Sequence, residues 1–172
     1  KIGLQELSKK LGDWKAPDKW YELGVSETKK WDSYVEKESG PTNQKEPSYA
    51  HAIGAIYRNA DSSDIVVTAA GGLVGETVQI WKPKKINTFE TEWGFSCMGY
   101  EISGALGIKM AKPDQDVIVF IGDGSYLLAN SDIYSSVIYD QKLIIIVCDN
   151  GGHMVINRLQ LAKGGKEYIC NL

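Results

Sequence analysis

The triplet Gly122-Asp123-Gly124 stands at the end of one apolar run, Val117–Ile121, and Asp149-Asn150-Gly151-Gly152 stands at the end of the next, Leu143–Val147. Asn150 follows Asp123 by 27 positions, the spacing of a single strand–helix–strand crossover. A carboxylate and a carboxamide brought to one edge of a sheet are oxygen ligands suited to a hard divalent cation that also holds phosphate oxygens. The flanking glycines let backbone N–H groups approach a diphosphate closely. The same triplet also suits a plain tight turn in which Asp123 caps the following helix. A third glycine-rich loop, Ala70-Gly71-Gly72, leaves another short apolar run, Asp64–Ala69. Competing signatures are missing: there is no Gly-Lys-Ser/Thr phosphate loop, and no G-x-G-x-x-G at a strand end for a nicotinamide dinucleotide.

The elements that must position these loops read as an α/β rhythm. Ser48 caps a helix striped by Ile53, Ile56 and Tyr57. Strands are expected over Asp64–Ala69, near Lys85 to Phe89, over Val117–Ile121 and over Leu143–Val147. Apolar runs without alternation are buried on both faces, as in parallel strands covered by helices. Met98 to Ala111 reads as a helix of small and apolar residues, and Leu127 to Tyr139 as the crossover helix of a right-handed βαβ unit. The fold class is therefore α/β, a three-layer open parallel sheet with helices on both faces. Ligands of such sheets bind beyond the carboxyl ends of the strands, where the three glycine-rich loops converge. Residues 1–46 differ: polar, with Trp14, Trp20 and Trp31, they read as a helical or irregular connector arm whose aromatic residues pack on a surface. Within the arm, Ser26 reads as a helix cap. The α/β domain is expected over 47–172.

Bulk properties exclude several classes. A formal net charge of −3 over 172 residues, with no basic run, argues against a nucleic-acid partner. The longest apolar stretch, Leu143–Cys148, is far too short to cross a bilayer. No secretory signal opens the chain, and the three cysteines, Cys97, Cys148 and Cys170, are odd in number, so reduced cytoplasmic thiols are expected. The chain begins at Lys1 rather than Met, as expected of a piece of something longer.

Gly-Asp-Gly, 25 intervening residues and Asn resemble the metal and diphosphate signature of thiamine-diphosphate-dependent enzymes. The resemblance implies that Asp123, the Asn150 side chain and the Gly152 carbonyl bind Mg²⁺. It implies further that Gly122, Gly124 and Ser125 meet the diphosphate, Gly124 and Ser125 through N–H and hydroxyl groups, with Ala70 and Gly71 also against the cofactor. Ser96-Cys97-Met98-Gly99 resembles the segment that holds the aminopyrimidine, with Met98 as the wedge that bends the cofactor and backbone groups at Ser96 and Met98 bonding the ring. Simple core filling is the other reading of Met98. The run Glu92 to Gly107, with Thr68–Gly71, Gly122–Leu127 and Ile156–Gln160, is similar to a branch of the family that hydrolyses a C–C bond of a cyclic 1,2-dione to give 5-deoxyglucuronate in bacterial inositol catabolism. Two departures stand out: Gly71–Gly75 lacks an expected proline, and Gly151-Gly152-His153 is a variant metal loop. A 2-oxo acid decarboxylase or carboligase, or a non-catalytic phosphate- or metal-binding domain, are the alternatives.

In this family an activating glutamate sits against the pyrimidine, on a separate domain that usually comes from another subunit. No segment here resembles that domain. The resemblance thus implies a truncated thiamine-diphosphate-binding fold with no catalytic residue of its own. Its partners would be the pyrimidine-binding domain of a parent chain or second subunit, a homo-oligomeric assembly and a small cyclic dione. His153 either faces substrate or is solvated, His51 is structural, and Glu92 and Glu101 either approach the site or lie on helix surfaces.

Overall fold

A computed structural model describes residues 1–172, which divide into two compact units, Lys1–Lys37 and Glu38–Leu172. The division falls ahead of the boundary at residue 46 read from the sequence. The first unit holds α1 (Ile2–Leu11) and most of α2 (Asp18–Glu38). Ser26 lies inside α2 and caps nothing. Pro17 sets the start instead, its carbonyl accepting from the Trp20 N–H at 2.8 Å, and Asp18 suits the positive end of the helix dipole. Inside the helix, the Thr28 and Ser33 hydroxyls donate to carbonyls four residues back. Trp14, Trp20 and Trp31 are exposed, Trp31 leaning on Tyr34 with ring centroids 5.4 Å apart.

The second unit is built on four parallel strands, β1 (Ile65–Thr68), β2 (Phe89–Thr91), β3 (Val117–Gly122) and β4 (Ile144–Cys148), in the order β2-β1-β3-β4. Side chains alternate across a strand, so β1 and β3 feed two cores. Ile65, Val67, Val117, Val119 and Ile121 cluster with Ile102 and Ala105 of α5 (Tyr100–Ala111). On the other face, Phe120 meets Trp81 at the end of α4 (Gly71–Ile80), with ring centroids 6.1 Å apart. Trp81 in turn meets Tyr57 of α3 (Tyr49–Asn59) at 5.2 Å. Helices therefore cover both faces, the three-layer arrangement expected. Phe120 is fully buried, and Phe120→Ala should cost about 3–5 kcal/mol in a denaturant titration.

Four expectations move. The second strand forms at Phe89–Thr91 rather than over Lys85–Phe89, because the Thr88 hydroxyl closes a turn onto the Lys85 carbonyl at 2.7 Å. Helix α5 starts at Tyr100, not Met98, since Gly99 sits at φ 93°, outside helical geometry. The single crossover helix is two: α6 (Asp123–Leu128) and α7 (Asp132–Ile138). Polar Asn130-Ser131-Asp132 restarts the backbone, with Asn130 and Ser131 carbonyls accepting from Ile133 and Tyr134. Finally, β4 is not buried on both faces; it is an edge strand with Val147 exposed. Helix α8 (Met154–Ala162) follows the last glycine loop. No helix is long and apolar enough to cross a membrane.

Candidate functional site

The sheet register decides what meets at its carboxyl edge. Gly122 pairs with Cys148 across β3 and β4, so Asp123 and Asp149-Asn150 emerge side by side. Between these loops and the start of α4 lies a cavity of about 300 Å³. Ala70, Gly71, Ser96, Met98, Gly122, Asp123, Gly124, Ser125, Asn150 and Gly152 all line it. Every residue singled out from the sequence for cofactor or metal thus borders one space. Met98 is 38% exposed at its wall, so core filling does not account for it.

Asp123 is 9% exposed, and its carboxylate has no hydrogen-bond or ion-pair partner. A carboxylate that borders the cavity with no partner from the chain is open to a cation placed there. The chain supplies no cluster of three or more His, Cys, Asp or Glu side chains there. The donors at hand are one carboxylate and neutral oxygens, a set suited to Mg²⁺ that keeps phosphate and water oxygens in its remaining positions. The residues present therefore fit a metal-bridged diphosphate.

The Asn150 carboxamide donates through Nδ2 to the Tyr49 hydroxyl, at the start of α3. That bond holds the carboxamide at the cavity wall, which Tyr49 shares. Burial pushes the Tyr49 hydroxyl above its ordinary pKa, with the Asn150 bond opposing. Sequence reading missed Tyr49, which lies 101 residues before its partner; its only signal was its place beside the Ser48 cap. That cap is a full box: His51 N–H donates to the Ser48 hydroxyl, and His51 Nδ1 accepts from the Ser48 N–H at 3.2 Å. His51 is structural, as expected.

His153 borders the cavity, its ring lying over Gly124; Cε1 is 2.6 Å from where a Cβ on Gly124 would sit, so any side chain there would displace the ring. The loop Asp149–His153 is braced from behind. Cys170 carbonyl accepts from His153 N–H at 2.6 Å, and Leu172 N–H donates to the Gly151 carbonyl at 3.0 Å. The Gly152 carbonyl already accepts from Met154 N–H at 3.0 Å, leaving one lone pair for any other role. Cys148 is buried and its thiol pushed up to about 11, so it stays protonated at neutral pH.

The two glutamates around the Met98 segment are neither helix-surface groups nor cavity groups. Glu92 accepts from Phe95 and Cys97 N–H groups, both at 2.8 Å, folding the loop that carries Ser96; those bonds hold its carboxyl below the ordinary range. Glu101 is 1% exposed and accepts from Ala70 N–H at 3.1 Å, Gly99 N–H at 2.9 Å and the Ser125 hydroxyl at 2.9 Å. The Ser125 hydroxyl hydrogen is therefore spent on Glu101 rather than aimed at the cavity, and Ser125 retains its backbone N–H for an anion.

Residues 69–171 match the model of the family described as "Thiamine pyrophosphate enzyme, C-terminal TPP binding domain". The chain belongs to this family. Among curated proteins it is 40% identical over 137 residues to the 3D-(3,5/4)-trihydroxycyclohexane-1,2-dione hydrolase of Lacticaseibacillus casei, covering 80% of this chain and 21% of that one. The protein of the same name from Geobacillus thermodenitrificans (strain NG80-2) is 34% identical over 193 residues, covering 98% of this chain and 30% of the relative. The chain thus spans about a fifth to a third of the length of the curated relatives it matches. Among solved structures, a Rhodococcus jostii RHA1 thiamine diphosphate-dependent 4-hydroxybenzoylformate decarboxylase superposes with a TM-score of 0.69 at 18% identity, covering 77% of this chain and 25% of that one. At that identity the likeness shows the fold alone.

Proposed function

We propose that this chain is the diphosphate-binding part of a thiamine-diphosphate- and Mg²⁺-dependent hydrolase that opens a trihydroxycyclohexane-1,2-dione to 5-deoxyglucuronate in the cytoplasm. The observation that carries the reading is the partnerless carboxylate of Asp123 in a cavity bordered by every residue of the family signature. The relatives' shared name favours the dione over a 2-oxo acid as substrate.

In this reading Asp123, Asn150 and the Gly152 carbonyl hold Mg²⁺, and the backbone around Gly122, Gly124 and Ser125 receives the diphosphate. Ala70 and Gly71 close the opposite wall, and Ser96 and Met98 border the aminopyrimidine. When bound, thiamine diphosphate supplies an electron sink for cleaving a C–C bond beside a carbonyl. The chain's own work is to orient the cofactor, neutralise its diphosphate and keep the reacting face at a fixed place on the sheet edge. A pyrimidine-binding domain, from the same longer protein or a second subunit of a homo-oligomer, completes the site.

The test uses the longer protein, supplied with Mg²⁺, thiamine diphosphate and either the cyclic dione or pyruvate. Release of 5-deoxyglucuronate, with pyruvate untouched, is the expected result. Pyruvate decarboxylation without dione cleavage would move the protein to the 2-oxo acid branch, and failure to bind the cofactor would make it a non-catalytic domain.

A further inference from the structure

Glu101 is a buried carboxylate with no ion-pair partner, in a helix where Lys109 is the only other charged residue. Its two oxygens reach three separate segments of the cavity wall. Oε1 accepts from the N–H of Ala70, in the turn after β1. Oε2 accepts from the N–H of Gly99, next to Met98, and from the hydroxyl of Ser125 in α6, two residues from Asp123. Ser125 Oγ also accepts from Gly99 N–H at 2.7 Å, closing a small ring of bonds behind the cavity. None of these segments is held to another by sheet hydrogen bonds, because each begins after its strand has ended or lies outside the sheet. Burying an anion that serves no structural end would be selected against, since apolar packing is cheaper than an unpaired charge.

From this we infer that Glu101 is a positioning residue. Its carboxylate fixes the separation between the Ala70 turn, the Met98 segment and the Asp123 helix, and so sets the width of the cavity before any cofactor enters. Glu101 itself touches no cofactor; it does not border the cavity. Preorganisation of this kind lowers the cost of binding, because loops already in place need no ordering when the ligand arrives. The inference rests on the proposed thiamine diphosphate site, and the experiment separates the two.

Glu101→Gln keeps the shape but turns one acceptor into a donor, setting an N–H₂ group against Ala70 N–H or against the Gly99–Ser125 pair. Thiamine diphosphate affinity is measured by calorimetry on the longer protein at saturating Mg²⁺, well below the melting midpoint of every variant. The expected result is a Kd raised on the order of tenfold, the scale typical of losing a group that orients a ligand shell. Ser125→Ala is measured alongside it, as is the double variant. Because both side chains act through one ring of bonds, the double variant should bind about as Glu101→Gln does, whereas independent contacts would add. Ser125→Thr, which keeps the hydroxyl, should recover most of the affinity that Ser125→Ala loses.

A Glu101→Gln protein that melts lower yet binds with unchanged Kd would overturn the inference and leave Glu101 a fold residue only. If Glu101→Gln does not fold, Ser125→Ala decides: a several-fold weaker Kd, restored by Ser125→Thr, supports the ring, and an unchanged Kd overturns it. No binding by the unaltered protein would overturn the proposed function and this inference together.

Discussion

Asp123→Ala in the longer protein is expected to lose Mg²⁺-dependent thiamine diphosphate binding while leaving the fold intact. The two halves of that result come from the same observation. In the folded chain the Asp123 carboxylate is 9% exposed and partnerless, so removing it deletes no hydrogen bond or ion pair. With no bond lost, the melting midpoint without ligands should hold steady. Binding is the reverse case. Asp123 is the one carboxylate bordering the cavity, and without it a divalent ion is left with neutral oxygens and the diphosphate. The loss should exceed the roughly 10- to 100-fold typical of residues that merely support a metal ligand. Titration calorimetry with Mg²⁺ present reads the affinity, and a thermal melt without ligands reads the fold. Undiminished affinity would show that the metal is held elsewhere. A collapse of the melting midpoint would show that Asp123 has a structural partner.

Much of this site was legible in the chain because its chemistry sits next to its secondary structure. Val117–Ile121 is apolar without interruption, and the residue after Gly122 had to leave the sheet at its carboxyl edge. The same holds for Leu143–Val147 and Asn150. Strand adjacency then followed from one crossover, and the register that pairs Gly122 with Cys148 is its consequence. What was not legible depends on contacts between residues distant in sequence. Tyr49 meets Asn150 across 101 positions, and nothing in the local pattern around Ser48 announces a partner at the far sheet edge. Glu101 was misplaced for a related reason. A glutamate in a helix reads as solvent-facing from propensity alone, and only the convergence of Ala70, Gly99 and Ser125 donors explains its burial. The split of the crossover helix at Asn130 was written in its polar residues, but the apolar residues on either side outweighed them in the periodicity.

The 172-residue chain by itself is expected to be catalytically silent, even when thiamine diphosphate and Mg²⁺ are supplied in excess. Cofactors of this type are activated by a carboxylic acid that exchanges a proton with the pyrimidine ring, and the resemblance to the family assigns that task to a glutamate. No glutamate borders the cavity. Glu101 is enclosed behind the wall with both oxygens occupied, and Glu92 is committed to the Phe95 and Cys97 amides. In the proposed site Asp123 cannot stand in, because a carboxylate neutralising a metal ion is not free to shuttle a proton. His153 borders the cavity as well, but its ring lies over Gly124, which the proposed function places at the diphosphate. General acid–base assistance of this kind is typically worth 10²- to 10⁴-fold. Incubating the chain with the cyclic dione and both cofactors should therefore yield no 5-deoxyglucuronate above a protein-free control, while the longer protein under the same conditions does. Binding without turnover, seen as a calorimetric signal with no product, is the most informative form of this result, since it separates holding the cofactor from activating it. Turnover by the chain alone would mean that a proton-transfer group lies within these residues, and His153→Gln and Glu92→Gln would then be the first variants to measure.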